Sequence, residues 1–305
     1  MRTAALAPTV FSTVGLPPAR RVELWEAHNA NALIGLDVGA TEALEATELN
    51  VQLPHVQLAR VSGTAHVVER TRKVIDRSPA DAVAVYLTLR GEAWFRHAGG
   101  AHVLRPGYAL ICETDQPFAR GFTRGLEELV VKVPRAELAA RTNVRKTVLG
   151  TFDARHQYAR ALAAIVGRSA RADHALPADE ATLLDLVAAL AAGRATAQAT
   201  AHRAAARAYI EEHLTDPGLG ADQVAAAIGI SERQLSRVFA ADGTSVPKHI
   251  LSRRLQLAYS ALSGGAATNL TVADIAARCG FTSATYFSHV FRSRFGERAS
   301  DVRRG

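Results

Sequence analysis

Short apolar runs with strand-like alternation occupy the chain between Val51 and Val133. The runs are VQLARV, TAHVVERT, VAVYLTL, AWFRH, AHVL, YALIC and ELVVKV. Turn-forming residues such as Ser62-Gly63, Gly99-Gly100 and Pro106-Gly107 separate them. A period of two places apolar side chains on one face of a strand, and glycine and proline supply the geometry of the turns. The pattern predicts an antiparallel β-sandwich or barrel.

Helical periodicity flanks the strand-rich segment on both sides. Before it, PPARRVELWEAHNANAL predicts a helix that begins after a double proline and covers one side of the sheet. After Pro134, ARHQYARALAAIVGRSA and ADEATLLDLVAALAAGRAT predict two amphipathic helices, and GRATAQATAHR predicts a partly helical linker. Apolar stripes at Tyr158–Val166 and Leu183–Leu190 would be exposed in a lone chain, so we expect them to form a homodimer interface.

One sequence pattern occurs twice in the C-terminal third, at Val224–Phe239 and at Ile275–Phe291. Each copy has an alanine-containing helix, a glycine (Gly229 or Gly280), one apolar residue, and then a serine that opens a second helix. Glycine adopts the left-handed conformation that ends a helix, and serine caps the next one. This order of residues is typical of a helix-turn-helix.

The second helix of each copy keeps one face free of apolar residues. The free face carries Arg233, Ser236 and Arg237 in the first copy, and Thr285, Ser288, His289 and Arg292 in the second. Arginine bonds bidentately to guanine, serine and threonine bond to several base edges, and basic side chains hold phosphates. Between the copies, PKHILSRRLQLAYSAL predicts a linker helix that places two recognition helices in successive major grooves, about 34 Å apart.

Residues 203–304 resemble the DNA-binding domain of the AraC/XylS family of bacterial transcription regulators. The resemblance rests on YIEEHL, IGISERQLSRVF, RRLQLA and IAARCGF…YFSHVFRSRFG. It implies an activator that binds double-stranded DNA and works with RNA polymerase. Carried over by position, the base-contacting residues are Arg233, Ser236, Arg237, Ala284, Thr285, Ser288 and His289. Ala299 and Val302 replace the usual proline and aromatic residue, so we expect looser packing of the last helix.

The N-terminal half resembles the cupin-like effector domain of the XylS-type branch. The matching stretches are FST…LWEAH, HVVERT, YLTLRGEAWFRHAGGAHVLRPGYALI and VVKVP. The resemblance implies a small-molecule sensor, and the candidate residues described below favour an aromatic or carboxylate-bearing effector. The predicted fold is α+β, with a cupin-like effector domain over 1–140, a helical dimerisation region over 141–199 and an all-α domain over 200–305 that holds two helix-turn-helix units.

Three residues are candidates for effector binding. Alternation in HVVERT places His66, Val68 and Arg70 on one face, where Arg70 either anchors a ligand carboxylate or pairs with an acid on a neighbouring strand. Trp94 and Tyr108 either line an aromatic-binding pocket or pack in the core.

Composition bears on the binding partner and on the cellular compartment of the protein. The 305 residues carry a net charge of +7, and from Thr200 onward 13 Lys and Arg face 9 Asp and Glu, which favours a polyanionic partner. Cys112 and Cys279 lie far apart and predict buried free thiols in a reducing compartment. The sequence contains no apolar run long enough to span a membrane and opens on a stretch too short for a signal peptide, so we expect a cytoplasmic protein.

Two other functions remain open from the sequence. The N-terminal half could serve only for dimerisation or for binding a protein partner, without a ligand. A metal-dependent cupin enzyme fused to a DNA-binding domain would need two histidines one residue apart and then a glutamate. His55, His66, His97 and His102 lack that arrangement. We therefore expect no metal, no cofactor and no catalysis, and these histidines to be surface or hydrogen-bonded residues.

Overall fold

The chain folds into two compact units, residues 1–204 and residues 205–305. The computed structural model describes residues 8–39, 44–141, 149–153, 156–171, 178–192, 198–263 and 270–303. In these residues the first unit is a two-sheet sandwich with flanking helices, and the second unit is helical. The predicted α+β class is confirmed.

The sandwich consists of two antiparallel sheets. Its strands are β1 (Thr9–Ser12), β2 (Asp37–Gly39), β3 (Ala46–Gln52), β4 (Gln57–Gly63), β5 (His66–Arg70), β6 (Ala82–Arg90), β7 (Ala93–His97), β8 (Gly100–Leu104), β9 (Ala109–Glu113), β10 (Phe118–Phe122), β11 (Leu126–Pro134) and β12 (Gly150–Phe152). The larger sheet has the order β1-β3-β4-β11-β6-β9-β12, and the smaller has the order β2-β5-β10-β7-β8. Every predicted apolar run is a strand.

Helices flank the sandwich and build the second unit. The first unit contains α1 (Pro18–Ala32), α2 (Arg72–Arg77), α3 (Arg135–Ala139), α4 (Gln157–Ser169) and α5 (Glu180–Ala192), and α6 (Gln198–Glu212) spans the boundary between the units. The second unit contains α7 (Ala221–Ala227), α8 (Glu232–Ala240), α9 (Val246–Ser263), α10 (Val272–Arg278), α11 (Ala284–Phe295) and α12 (Ala299–Val302). The predicted linker is helical from Gln198 onward, and its first residues lie outside the described part of the chain. Ala299 is buried, so α12 does pack through its first residue.

The core of the sandwich lies between the inner faces of the sheets. Tyr86 and Val130 of the larger sheet pack in one cluster with Val68 and Phe95 of the smaller sheet. Trp25 of α1 joins the same cluster and is 3% exposed, so α1 covers the sandwich as predicted. Burial of such a cluster is the main favourable term in folding.

The strands that the sequence did not predict include two with charged residues on the inner face. In β10, FARGF, all five residues are buried, and Arg120 lies between Phe118 and Phe122 on the inward side. In β3, Glu48 and Asn50 are buried in the same alternation as Ala46. A charged residue at an inward position breaks the apolar alternation by which strands are recognised.

The apolar stripes of α4 and α5 are buried within the chain. Leu162 of α4 and Leu183 and Leu186 of α5 have no exposed surface. The two helices pack on each other, and α4 also packs on β4 and β11. The expectation of a dimer interface rested on exposure of these stripes, and that argument is wrong.

Arg70 is a buried structural anchor at the end of β5. Its side chain has no exposed surface. The guanidinium donates to the carbonyl oxygens of Thr114 (2.6 Å), Gly35 (2.7 Å) and Ser78 (2.9 Å), and to Asp115 Oδ1 (2.8 Å). One side chain thus ties three connecting segments to the sandwich, and bonds to charged donors are among the stronger ones in proteins.

We predict that Arg70→Met destabilises the first unit by about 3–5 kcal/mol, because it leaves three carbonyls and the partly buried Asp115 carboxylate without their donor. Arg77→Met is the matched control, since Arg77 pairs with Asp37 at an exposed site and surface pairs contribute at most about 1 kcal/mol. Both tryptophans, Trp25 and Trp94, lie in the first unit, so fluorescence-monitored unfolding reports on that unit. Equal losses in the two variants would contradict the anchoring role.

Candidate functional site

The first helix-turn-helix consists of α7 and α8, which pack against each other. Gly229 lies between them with φ of 69°, the left-handed conformation predicted for it. Ser231 caps α8, because its Oγ accepts a hydrogen bond from the Gln234 backbone nitrogen at 3.2 Å. Leu235 and Phe239 are fully buried on the inner side of α8. The first of the two predicted helix-turn-helix motifs is therefore present.

The second helix-turn-helix consists of α10 and α11 and follows the same plan. Gly280 has φ of 84°, and Ser283 Oγ accepts from the Tyr286 nitrogen at 3.2 Å. Phe287 and Phe291 are fully buried. A reciprocal capping box of Thr271 and Asp274 also starts α10, and the spacing T-x-x-D in the sequence is a signal from which this cap could have been predicted.

The outer faces of α8 and α11 carry all the predicted base-contacting residues in exposed positions. These residues are Arg233, Ser236, Arg237, Ala284, Thr285, Ser288, His289 and Arg292. Within the described residues, no acidic side chain pairs with Arg233, Arg237 or Arg292, so their charges face solvent. Ser288 Oγ donates to the Ala284 carbonyl at 2.9 Å. Two basic helix faces of this kind suit an anionic, grooved surface such as duplex DNA.

Tyr286 is an exposed aromatic residue on α11 that does not belong to the predicted base-contacting set. Its side chain is 52% exposed, although large aromatic residues are usually buried. It occupies the place on α11 that Gln234 has on α8. Tyr286 follows Thr285 directly in the chain, so it lies next to the predicted base-contacting residues of α11.

The linker helix α9 connects the two helix-turn-helix units. It packs against α8, α10 and α12, and its 18 residues give a length of about 27 Å. Arg253 forms a bidentate ion pair with Glu211 of α6, with distances of 2.5 and 3.0 Å. Arg254 donates to the carbonyl oxygens of Leu214 (2.9 Å) and Asp216 (2.5 Å), which follow α6. These contacts hold the linker helix at a defined place in the unit.

A small cavity lies inside the sandwich of the first unit. Its volume is about 30 Å³, and α1, the segment after α1 and both sheets surround it. Most of its wall is apolar and includes Trp25, Val61, Val68, Phe122 and Val130. Cavities of this kind with a few polar groups are the usual form of small-molecule sites.

Five polar residues line the same cavity, namely Asn29, His66, Tyr86, Arg120 and Glu128, and Asn29 Nδ2 donates to the Trp25 carbonyl at 2.9 Å. Arg120 Nη1 and Nη2 donate to Glu128 Oε1 and Oε2 at 3.0 and 2.6 Å, and both side chains are buried. The Arg120 guanidinium also lies over the Tyr86 ring, with Cζ 3.7 Å from its centroid. Burial lowers the pKa of His66, whose Nδ1 bonds to the Thr64 carbonyl at 2.7 Å.

The three predicted effector residues lie away from this cavity. Arg70 is engaged by the acceptors described above, and the acid that it pairs with, Asp115, lies in the segment after β9 rather than on a neighbouring strand. Trp94 lies over Gly121, where an added Cβ would come within 2.1 Å of its ring. Tyr108 packs at the edge of the core cluster. The sequence analysis placed His66, Tyr86 and Glu128 in predicted strands but assigned none of them to the effector site, and it missed β10, which contains Arg120.

Histidines of the sandwich bond to neighbouring groups. His55 lies 3.4 Å from Glu180, and His97 and His102 bring their Nε2 atoms to 3.3 Å. No group of three or more potential metal-ligating side chains occurs in the described part of the chain. Both cysteines are buried and free, as predicted. Among the helices of the described residues, none is long and apolar enough to cross a membrane.

Comparison with known proteins covers both units. Residues 25–216 match the family profile of an AraC-binding-like domain, and residues 224–305 match that of a helix-turn-helix domain. The transcriptional activator NphR of Rhodococcus sp is 28% identical over 256 residues, which cover 79% of this chain and 75% of NphR. The transcriptional activator RhrA of Rhizobium meliloti is 38% identical over 96 residues, which cover 31% of this chain and 30% of RhrA. The crystal structure of the AraC-like transcriptional activator CuxR covers 89% of this chain and 100% of its own, with a TM-score of 0.51 and 21% identity, and supports the fold.

We predict that Gly280→Ala destabilises the second unit more than Gly229→Ala. Both glycines have positive φ, so alanine strains the backbone by about 1 kcal/mol at each. At Gly280 the added Cβ would also lie 2.8 Å from Arg254 Nε and 3.0 Å from the Leu214 carbonyl oxygen, whereas at Gly229 it meets nothing within 4 Å. Thermal unfolding followed by circular dichroism at helical wavelengths measures the difference. Equal melting temperatures would show that the contact with Arg254 is not constraining.

We predict a pH-dependent stability of the first unit that Glu48→Gln removes. Burial raises the pKa of Glu48 to about 7, from a usual value of 4.5, with His28 at 3.6 Å and Glu128 as a further negative charge nearby. The unfolded chain therefore binds fewer protons than the folded one between these values, and stability falls as pH rises. From about pH 5 to about pH 8 the free energy of unfolding of the wild type should fall by about 2–3 kcal/mol through this group. The Glu48→Gln variant lacks the carboxyl group and should not show this fall. Tryptophan-monitored unfolding at both pH values is the measurement, and parallel curves would contradict the shift.

Proposed function

The chain belongs to the AraC/XylS family of transcription regulators, and we propose that it activates transcription when a small molecule binds inside its sandwich. As a member of this family it is a ligand-controlled regulator that binds DNA through its helix-turn-helix unit. The observation that carries the proposal is the pair of exposed basic helix faces on α8 and α11, joined by α9. Activation is inferred from the names of relatives such as NphR and RhrA.

We assign base recognition chiefly to α8. Arg233 and Arg237 are four residues apart, so they lie on one helix face, and both are exposed. Each can bond to guanine O6 and N7, and one such bidentate contact discriminates bases by about 1–3 kcal/mol. The corresponding positions of α11 hold Thr285 and His289, which offer single hydrogen bonds. We assign Arg292, at the C-terminal side of that face, to phosphate or base contact.

The effector site that we propose is the cavity between the sheets rather than the set of Arg70, Trp94 and Tyr108. Its support is the combination of an apolar wall, a position between the two sheets and polar side chains that converge on it. The alternative of a ligand-free N-terminal unit gives no account of Tyr86 Oη and Arg120 Nε, which have no hydrogen-bond partner in the described residues.

Other parts of the proposal rest on the family resemblance. We propose a homodimer, contact with RNA polymerase, no catalytic activity, no cofactor and a cytoplasmic location, where the DNA is. The division into 1–140, 141–199 and 200–305 remains a prediction of the same kind. Enrichment of a sequence motif from random duplexes at moderate salt tests the central proposal, and failure to enrich any motif would refute it.

We predict that Arg237→Ala flattens base preference at the half-site contacted by α8, by about tenfold at the affected base pair. Arg237→Lys keeps the charge but loses the fork of donors, so it should flatten preference while retaining more of the overall affinity. His289→Ala is the comparison on α11 and should flatten preference less. Binding to every single-base variant of the selected site, at fixed salt and pH, is the measurement. A uniform loss across all variants from Arg237→Ala would assign Arg237 to phosphate.

A further inference from the structure

The cavity contains buried polar atoms that have no partner in the described residues. Tyr86 Oη and Arg120 Nε are both inaccessible to solvent and make no hydrogen bond there. Tyr86 is 2% exposed and Arg120 is 2% exposed. Folded proteins satisfy the large majority of such atoms, and each exception calls for an explanation, such as a ligand that supplies the missing bond. Both residues line the same cavity, so a small molecule that displaces part of its wall can reach both atoms.

A third polar atom of the cavity is an acceptor. His66 Nδ1 lies 2.7 Å from the Thr64 carbonyl oxygen, which can only accept, so Nδ1 carries the proton. Burial lowers the pKa of His66, which keeps the ring neutral and leaves Nε2 with a free lone pair. Besides the Asn29 amide, whose Nδ2 is used by Trp25, the cavity therefore offers one fixed donor at Arg120 Nε, one acceptor at His66 Nε2, and a Tyr86 hydroxyl that can do either.

The charges of the cavity are already balanced without a ligand. Both terminal nitrogens of Arg120 are bound by both carboxylate oxygens of Glu128. A ligand carboxylate would either displace Glu128 from its partner or add a further negative charge beside Glu128 and near Glu48, whose own ionisation burial already opposes. A ligand cation would lie beside the fixed guanidinium. Either charge is therefore disfavoured, whereas a neutral molecule leaves the pair intact.

We propose that the effector is an uncharged, largely apolar molecule with one hydroxyl group, which bonds to Tyr86, Arg120 Nε and His66 while the Arg120–Glu128 pair persists. The inference rests on the proposed function, in which this cavity is the effector site. It replaces the carboxylate that the sequence suggested. Aromatic side chains on the wall, Trp25 and Phe122, suit a flat apolar body.

The size of the cavity indicates which wall yields on binding. About 30 Å³ is room for little more than a water molecule, so a larger ligand must displace part of the wall. Val61, Tyr86 and Val130 lie on strands that pair with neighbours on both sides. Leu33 and Ile34 follow α1 and lie outside the sheets. Lys132 holds the Leu33 carbonyl and Arg70 holds that of Gly35, so α1 itself is the part of the wall outside the sheets that yields, which links ligand binding to its position.

Ligands that share a carbon skeleton and carry a neutral, an anionic or a cationic polar group test the proposal. Benzyl alcohol, benzoate and benzylamine share one ring, and 1-butanol, butyrate and butylamine form a smaller set. Each is added to the full-length protein at about pH 7.5, where acids and amines are ionised. A ligand that binds only the folded state raises the melting temperature with a saturable dose dependence. We expect this for an alcohol, with at least tenfold weaker binding of the matched acid and amine.

Two tyrosine variants locate the binding site. Tyr86→Phe removes the unpartnered hydroxyl, so it should leave the stability of the unliganded protein unchanged or higher and weaken alcohol binding about tenfold. Tyr108→Phe makes the same chemical change outside the cavity and should leave binding unchanged. Tighter binding of an acid or an amine, no binding of either alcohol, or alcohol binding that survives Tyr86→Phe would overturn the proposal. Motif enrichment by both variants tests the DNA-binding function separately.

Discussion

The ion pair between Arg120 and Glu128 is the interaction on which the interior of the sandwich depends. Arg120 belongs to β10 of the smaller sheet and Glu128 to β11 of the larger, so the pair bridges the two sheets. Removal of either partner would leave a bare charge in the core, which is far costlier than loss of a surface pair. The aromatic faces of Tyr86 and Phe122 cover the guanidinium and complete its surroundings. Because the two charges neutralise each other, they can lie in the otherwise apolar core and line its cavity.

The same interior combines structural and functional roles in separate side chains. Arg70 uses its donors on backbone carbonyls and Asp115, so it serves the connections at the end of β5. Arg120 uses its two terminal nitrogens on Glu128 and leaves Nε without a partner in the described residues. Two buried arginines thus differ in what they leave over for a ligand. Both side chains are buried, so the difference between them lies in how many of their nitrogen donors have an acceptor.

The two helix-turn-helix units share an architecture but differ in chemistry. Equivalent glycines, capping serines and buried aromatic or aliphatic residues build both units in the same way. The outer faces then diverge, with two arginines on α8 against Thr285, His289 and the exposed Tyr286 on α11. The contacts of Arg253 and Arg254 with α6 and the residues after it fix the linker helix α9 relative to that helix. Two helix-turn-helix motifs of the same fold can therefore contribute unequally to base recognition.

The sequence by itself determined the repeat, its glycine and serine positions, the exposed recognition faces and the strands that alternate cleanly. These features depend on local spacing, since turns, caps and amphipathic faces are set by residues a few positions apart. Only the tertiary structure decided that Arg120, Glu128, Tyr86 and His66 meet in one cavity, and that the stripes of α4 and α5 are covered by the chain itself. Contacts of that kind join distant segments, and a single sequence contains no spacing that records which strands lie opposite each other.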